Sequence, residues 1–193
     1  MKLKLKQKVA IGFYKTKIKT IALVNKRKAA EATFNLFCKP YSGKPNREKP
    51  IIFKHAEKLS FQYQDLTIRG WRWISENANN KTILIAHGFD SCSYKFEKYI
   101  QSLTKNGFTV LAFDAPAHGI SDGKQVNAII YRNVILKITE LFGDLYGIVA
   151  HSLGGLAASF AAEELPHLQK LVLLAPATET NTAINNFFKF VQL

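Results

Sequence analysis

Four short apolar runs constrain this chain more than any other feature. Thr82–Ala86 (TILIA), Thr109–Phe113 (TVLAF), Leu145–Val149 (LYGIV) and Leu171–Leu174 (LVLL) carry no charged residue. Runs this short, without polar alternation, read as strands buried on both faces. Between them lie segments of helical spacing. Phe96, Tyr99, Ile100 and Leu103 recur at helical intervals before Gly107, and Ile130, Val134, Ile138 and Leu141 share one stripe before Gly143. Leu156–Leu165 is rich in Ala and closed by Pro166. Two earlier segments, Leu59–Tyr63 and Leu66–Ile74, have the aromatic and β-branched content of strands. Strands alternating with helices predict an α/β fold, with a mostly parallel sheet flanked by helices. In such sheets the chemistry collects at the carboxyl ends of the strands.

Charge divides the chain. Residues 1–58 hold 16 Lys+Arg against 3 Asp+Glu, whereas residues 59–193 hold 11 of each. The whole surplus of +13 therefore sits at the N-terminal end. The expected organisation is a basic extension over residues 1–55, with a short helix from Arg27 to Phe37, followed by a catalytic-type domain over 56–193. Residues 1–28 mix Lys with Val, Ile, Phe and Leu without clean periodicity. Pro40 and Ser42-Gly43-Lys44-Pro45 break the helical pattern. The leading expectation for the extension is a solvated basic segment. Peripheral contact with an anionic membrane ranks second, and nucleic acid is not expected, since no nucleic-acid-binding motif accompanies the charge. The apolar run of the N-terminus is cut by Lys15, Lys17 and Lys19, a poor secretory signal. Leu145–Ala162 lacks charge, but His151, two serines and three glycines make it a strand and a helix rather than a membrane span. Two cysteines, Cys38 and Cys92, build no disulfide framework, which fits a reducing, cytoplasmic location.

Three strand ends carry unusual residues. His87-Gly88-Phe89-Asp90 follows TILIA, Asp114-Ala115-Pro116-Ala117-His118-Gly119-Ile120-Ser121 follows TVLAF, and Ala150-His151-Ser152-Leu153-Gly154-Gly155 follows LYGIV. The third is the decisive one. A serine between a buried strand and a helix, with small residues two positions before and after, reads as a nucleophile elbow. The turn is sharp and the helix passes close to the strand, so Ala150 and Gly154 must be small. A helix N-terminus there also favours negative charge.

Here the chain resembles the α/β-hydrolase family, from about residue 57 onward, with hydrolases of the lysophospholipase and serine-aminopeptidase type closest. AHSLGG is similar to the family's G-x-S-x-G elbow, with Ala150 in the first glycine position. HGF at 87–89 resembles its oxyanion loop, and DAPAHGIS resembles its D-x-P-G-H-G-x-S loop, with Ala117 in place of glycine. The resemblance implies that Ser152 attacks a carbonyl and forms an acyl-enzyme. The backbone N–H groups of Leu153 and Phe89 would form the oxyanion hole. Asp114 and His118 would fix their loop, and His87 would orient the oxyanion loop. The implied substrate is a small-molecule ester, thioester or amide. No cofactor is implied, and no metal-ligand spacing is present.

Other candidates rank behind these. Ser152 could be an ordinary helix cap, which leaves the flanking small residues unexplained. His151 neighbours the nucleophile, but side chains on such a turn diverge. His55 and His167 read as surface residues, and Cys92 reads as an inert thiol. Gly119-Ile-Ser-Asp-Gly123-Lys124-Gln125 is one residue short of a phosphate loop and ends in Gln. The family's triad runs serine, acid, histidine. No histidine follows His167, and Glu179 is only a minor candidate for the acid. Ile184, Phe187, Phe188, Phe190 and Val191 suit the start of a cap helix. The expectation is a piece of a longer serine hydrolase, inactive by itself, with an apolar edge beyond the sixth strand. The alternatives are a naturally short chain and a non-catalytic binding or membrane-associated protein.

Overall fold

The computed structural model describes residues 5–41 and 48–191. In chain order the helices are α1 (Leu5–Val24), α2 (Lys26–Phe37), α3 (Glu97–Lys105), α4 (Ala128–Phe142), α5 (Leu153–Ala162) and α6 (Thr180–Val191). The strands are β1 (Glu57–Tyr63), β2 (Leu66–Trp73), β3 (Thr82–Ala86), β4 (Thr109–Phe113), β5 (Gly147–His151) and β6 (Lys170–Leu174). They form one sheet in the order β1-β2-β4-β3-β5-β6. The four strands β4, β3, β5 and β6 run parallel, while β1 and β2 are antiparallel. This is the expected mostly parallel α/β sheet flanked by helices.

Side-chain alternation in the central strands explains their apolar runs. Leu84, Ala86, Leu111, Phe113, Ile148 and Ala150 point into one core, which α4 and α5 close with Val134, Ile135, Ile138, Ala157, Ala158 and Ala161. Ile85, Val110 and Ala112 point into the other, closed by Phe96 and Ile100 and by Phe53, Trp71 and Trp73. Each fully buried aliphatic or aromatic side chain contributes roughly 1.5–3 kcal/mol, so neither face tolerates a polar interruption. Asn127 caps α4 by accepting from the Ile130 amide at 2.9 Å.

Compact contacts group residues 40–178 as one unit and residues 1–39 with 179–193 as another. The expected boundary near residue 55 differs from this division. Phe53 is fully buried, with its ring 5.0 Å from Trp71 and 4.8 Å from Trp73, which ties its segment to the sheet. In the second unit α1 and α2 pack together, and Phe187 of α6 meets Phe37 at 5.4 Å. The break expected at Ser42–Pro45 lies outside the described residues.

Three expectations need correction. Residues 1–28 showed no periodicity, yet α1 is helical over 20 residues. Its apolar side chains occupy two faces, so no single stripe emerges. The last helix of the sheet unit begins at Leu153 rather than Leu156, because Gly154 packs against the Ala86 and His87 carbonyls and Gly155 against Pro176 instead of breaking it. Leu171–Leu174 is not buried on both faces. It lies in β6 at the edge of the described sheet, with Val172 at 47% and Leu173 at 38% exposure.

An apolar edge strand invites pairing with another chain. Val172→Lys should therefore lower the self-association of the 193-residue chain in sedimentation velocity. Association unchanged by that substitution would place the sticking surface elsewhere.

Candidate active site

β5 delivers Ser152 to the carboxyl end of the sheet, and α5 begins at the next residue. Ser152 sits at φ 50°, ψ −118°, a conformation that a non-glycine residue holds only when its surroundings enforce it. The enforcement is visible. The Ser152 amide donates to the Leu174 carbonyl at 3.1 Å, and the Ser152 carbonyl accepts from Leu156 and Ala177, each at 3.1 Å. The elbow is therefore pinned by its own helix and by the loop after β6.

Crowding around the elbow decides which neighbours can be anything but glycine. A Cβ on Gly154 would lie 2.5 Å from the carbonyl oxygens of both Ala86 and His87. A Cβ on Gly88 would lie 2.9 Å from Ser152 Cβ and 2.6 Å from His151 Nδ1. Gly88 is thus what lets the 87–90 loop lie against the serine. At the corresponding tight position of the next loop, Ala117 has φ 66°, where the resembling motif carries glycine. That conformation costs a residue with a Cβ about 1–2 kcal/mol.

Two buried histidines fasten the 87–90 loop. His87 Nε2 accepts from the Ala115 amide at 2.9 Å, so its proton is on Nδ1, which donates to the Gly88 carbonyl at 2.8 Å. His118 repeats the pattern: Nε2 accepts from the Asp90 amide at 2.9 Å and Nδ1 donates to the Pro116 carbonyl at 2.9 Å. Both rings are neutral. Burial outweighs the nearby Asp114 charge and pushes His87 down to about 4, and burial also lowers His118. The 3.8 Å approach of His87 Nε2 to Asp114 is accordingly no ion pair.

Asp114 completes the scaffold. One carboxylate oxygen accepts from the Ser93 amide at 2.8 Å and from the Ser93 hydroxyl at 2.7 Å, and the other accepts from the Ile120 amide at 3.0 Å. Ser121 then bridges to β2, accepting from the Arg69 amide at 2.9 Å and donating to the Asp114 carbonyl at 2.6 Å. Asp122, from the segment that superficially resembles a phosphate loop, instead binds Arg69 at 2.6 Å and the Thr67 amide at 3.1 Å. The Arg69 hydrogen bond holds the Asp122 carboxyl below its ordinary range.

The Phe89 backbone amide lies on the 87–90 loop and the Leu153 amide opens α5 directly after Ser152, and neither donates a hydrogen bond among the described residues. Phe89 is held by its ring, 5.5 Å from that of His118. The Ser152 hydroxyl likewise has no imidazole or carboxylate partner among the described residues. His151 is exposed and makes no hydrogen bond to it. His167 lies 3.8 Å from Asp144 on the surface, and Glu179 accepts from Thr182 at 3.1 Å. Cys92 is buried, and burial raises its thiol, which suits an inert residue. Sequence reasoning missed Ser93 and the Pro176–Ala177 support of the elbow. Neither lies in a recognisable motif.

Residues 77–193 match the family model described as serine aminopeptidase, S33. The uncharacterized hydrolase YugF of Bacillus subtilis is 30% identical over 104 residues, covering 51% of this chain and 38% of that protein. Among solved structures, a probable hydrolytic enzyme from Pseudomonas aeruginosa matches with a TM-score of 0.54 at 26% identity, over 63% of this chain and 41% of that one. The Pyrococcus furiosus esterase Pf2001 matches with a TM-score of 0.58 at 20% identity, over 78% and 70%. The chain thus spans about two fifths of the length of the first two proteins.

Two outcomes follow from this geometry. Gly154→Ala should destabilise the fold by about 3 kcal/mol, because the added methyl meets two backbone oxygens rather than a movable side chain. Chemical denaturation measures it, and a change below about 1 kcal/mol would show that α5 can retreat. The second outcome concerns pH. As pH falls below 6.5 the unfolded chain protonates His87, while the folded protein resists down to about 4. Stability should drop across that window by roughly 3 kcal/mol from this group. His87→Gln should flatten that part of the stability profile.

Proposed function

The chain belongs to the serine aminopeptidase (S33) family of α/β-hydrolases, and on that premise we propose that Ser152 is a nucleophile that forms an acyl-enzyme with an ester, thioester or amide. One observation carries the reading. A serine strained to φ 50° at a strand-to-helix turn is flanked by the Phe89 amide of the 87–90 loop and the Leu153 amide that opens α5, neither with an acceptor among the described residues. Attack by Ser152 Oγ on a carbonyl carbon moves negative charge onto the carbonyl oxygen. Two preorganised N–H donors would bind that oxyanion, and the loss of one such donor typically costs about 3–4 kcal/mol of barrier lowering. Esters are the first substrates to test, since the Pyrococcus furiosus neighbour is named an esterase.

The hydroxyl proton must pass to a base as the bond forms. None of the described histidines meets Ser152 Oγ, so the proposal assigns turnover to a protein that includes a base from outside these residues. The same observation favours one competing reading, a non-catalytic member of the family that binds a partner without turnover.

A fluorophosphonate and a p-nitrophenyl ester separate the two readings in the longest protein the gene encodes. The expected result is covalent modification at Ser152 and an ester turnover that Ser152→Ala lowers by on the order of 10⁴–10⁶-fold. Turnover that survives the substitution would remove Ser152 from the chemistry. A parent protein inert to both reagents would leave binding as the function.

A further inference from the structure

Helix α1 is apolar on two faces. Successive helical residues turn about 100° around the axis, which sets Ile18 toward α2 and α6, buried beside Ala29. On the opposite face stand Val9, Phe13, Leu23 and Val24, with exposures of 65%, 63%, 89% and 89%. By the same helical geometry these four fall within about 100° of one another. Thr16 and Thr20 share that face, and the Thr20 hydroxyl is turned back onto the Thr16 carbonyl at 3.0 Å. No acidic residue lies anywhere in α1. Lys17 and Lys19 border the exposed strip on its two sides, both exposed. Just past its end comes an exposed cluster of Lys26, Arg27 and Lys28. Residues 5–41 carry eight Lys and one Arg against a single acid, Glu31.

We propose that this face of α1 is a docking surface for an anionic lipid bilayer, on which the helix lies with Val9, Phe13, Leu23 and Val24 among the acyl chains and Lys17 and Lys19 at the headgroups. A strip of apolar side chains flanked by long cationic ones is what an interfacial helix needs, because lysine buries its methylenes and keeps its ammonium among phosphates. The helix lies on the surface rather than crossing it: among the described residues no helix is long and apolar enough to span a membrane. Charge complementarity selects anionic over neutral lipid. The exposed apolar strip separates this surface from a nucleic-acid site, where a phosphate-tracking face gains nothing from bare Phe and Leu. The inference is independent of the chemistry assigned to Ser152.

Flotation of the 193-residue chain with phosphatidylcholine vesicles, with and without phosphatidylserine, tests it. Floated protein is lipid-bound, and aggregates sink. Binding should need phosphatidylserine and weaken with salt. Phe13→Glu combined with Leu23→Glu should cut it by about tenfold or more. So should Lys17→Glu with Lys19→Glu. All four residues are exposed, so circular dichroism should show both variants as helical as the parent. The proposal is overturned if the chain stays unbound, if it floats equally with neutral vesicles, or if the Phe13/Leu23 variant binds like the parent. It is also overturned if excess duplex DNA strips the chain from the lipid.

Discussion

The His87 ring donates from Nδ1 to the Gly88 carbonyl and accepts at Nε2 from the Ala115 amide, and the rest of the strand-end architecture depends on that pair of bonds. They tie the loop after β3 to the loop after β4. His118 makes a second tie between the same loops through Asp90 and Pro116. Each ring can do this only as a neutral imidazole, because Nε2 must keep its lone pair. Burial supplies that condition by disfavouring the charged form. With the 87–90 loop fixed, Gly88 fits against Ser152 and the Phe89 amide has no acceptor among the described residues.

The elbow obeys a complementary constraint of space. Ser152 is strained, and Gly154 approaches the carbonyls of Ala86 and His87 too closely for any side chain. That strain is sustained by hydrogen bonds from both sides and by the close fit of the alanine face of α5 to α4. Asp114 serves the same end as a buried carboxylate that is fully hydrogen-bonded by Ser93 and Ile120 instead of being paired with a cation. It holds the D-x-P-x-H-G-x-S loop in shape, so this acid has a scaffolding role.

Much of this was legible in the sequence because burial on both faces leaves a plain mark. TILIA and TVLAF give alternate residues to two cores, so each reads as an uninterrupted run. The turn at Ser152 was legible because an elbow needs small residues at fixed offsets, whereas Phe89 and Leu153 entered only through the resemblance of their motifs to a family. What was not legible depended on partners distant in the chain. Nothing in LVLL distinguishes a central strand from the edge position that β6 occupies. The glycines of α5 argue against a helix start until the approach to Ala86 and His87 is known. Ser93 lies in no motif, and its role arises only where the fold brings it to Asp114. Helix α1 escaped notice because two opposite apolar faces erase the single stripe by which helices are read.

The claim that neutral His87 and His118 set the 87–90 loop is tested most directly by ¹⁵N NMR of the imidazole nitrogens in the folded chain. At pH 6 both rings should show a protonated Nδ1 and an unprotonated Nε2. An imidazolium signal at that pH, or a proton on Nε2 of either ring, would contradict the account, because the Ala115 and Asp90 amides would then have lost their acceptors.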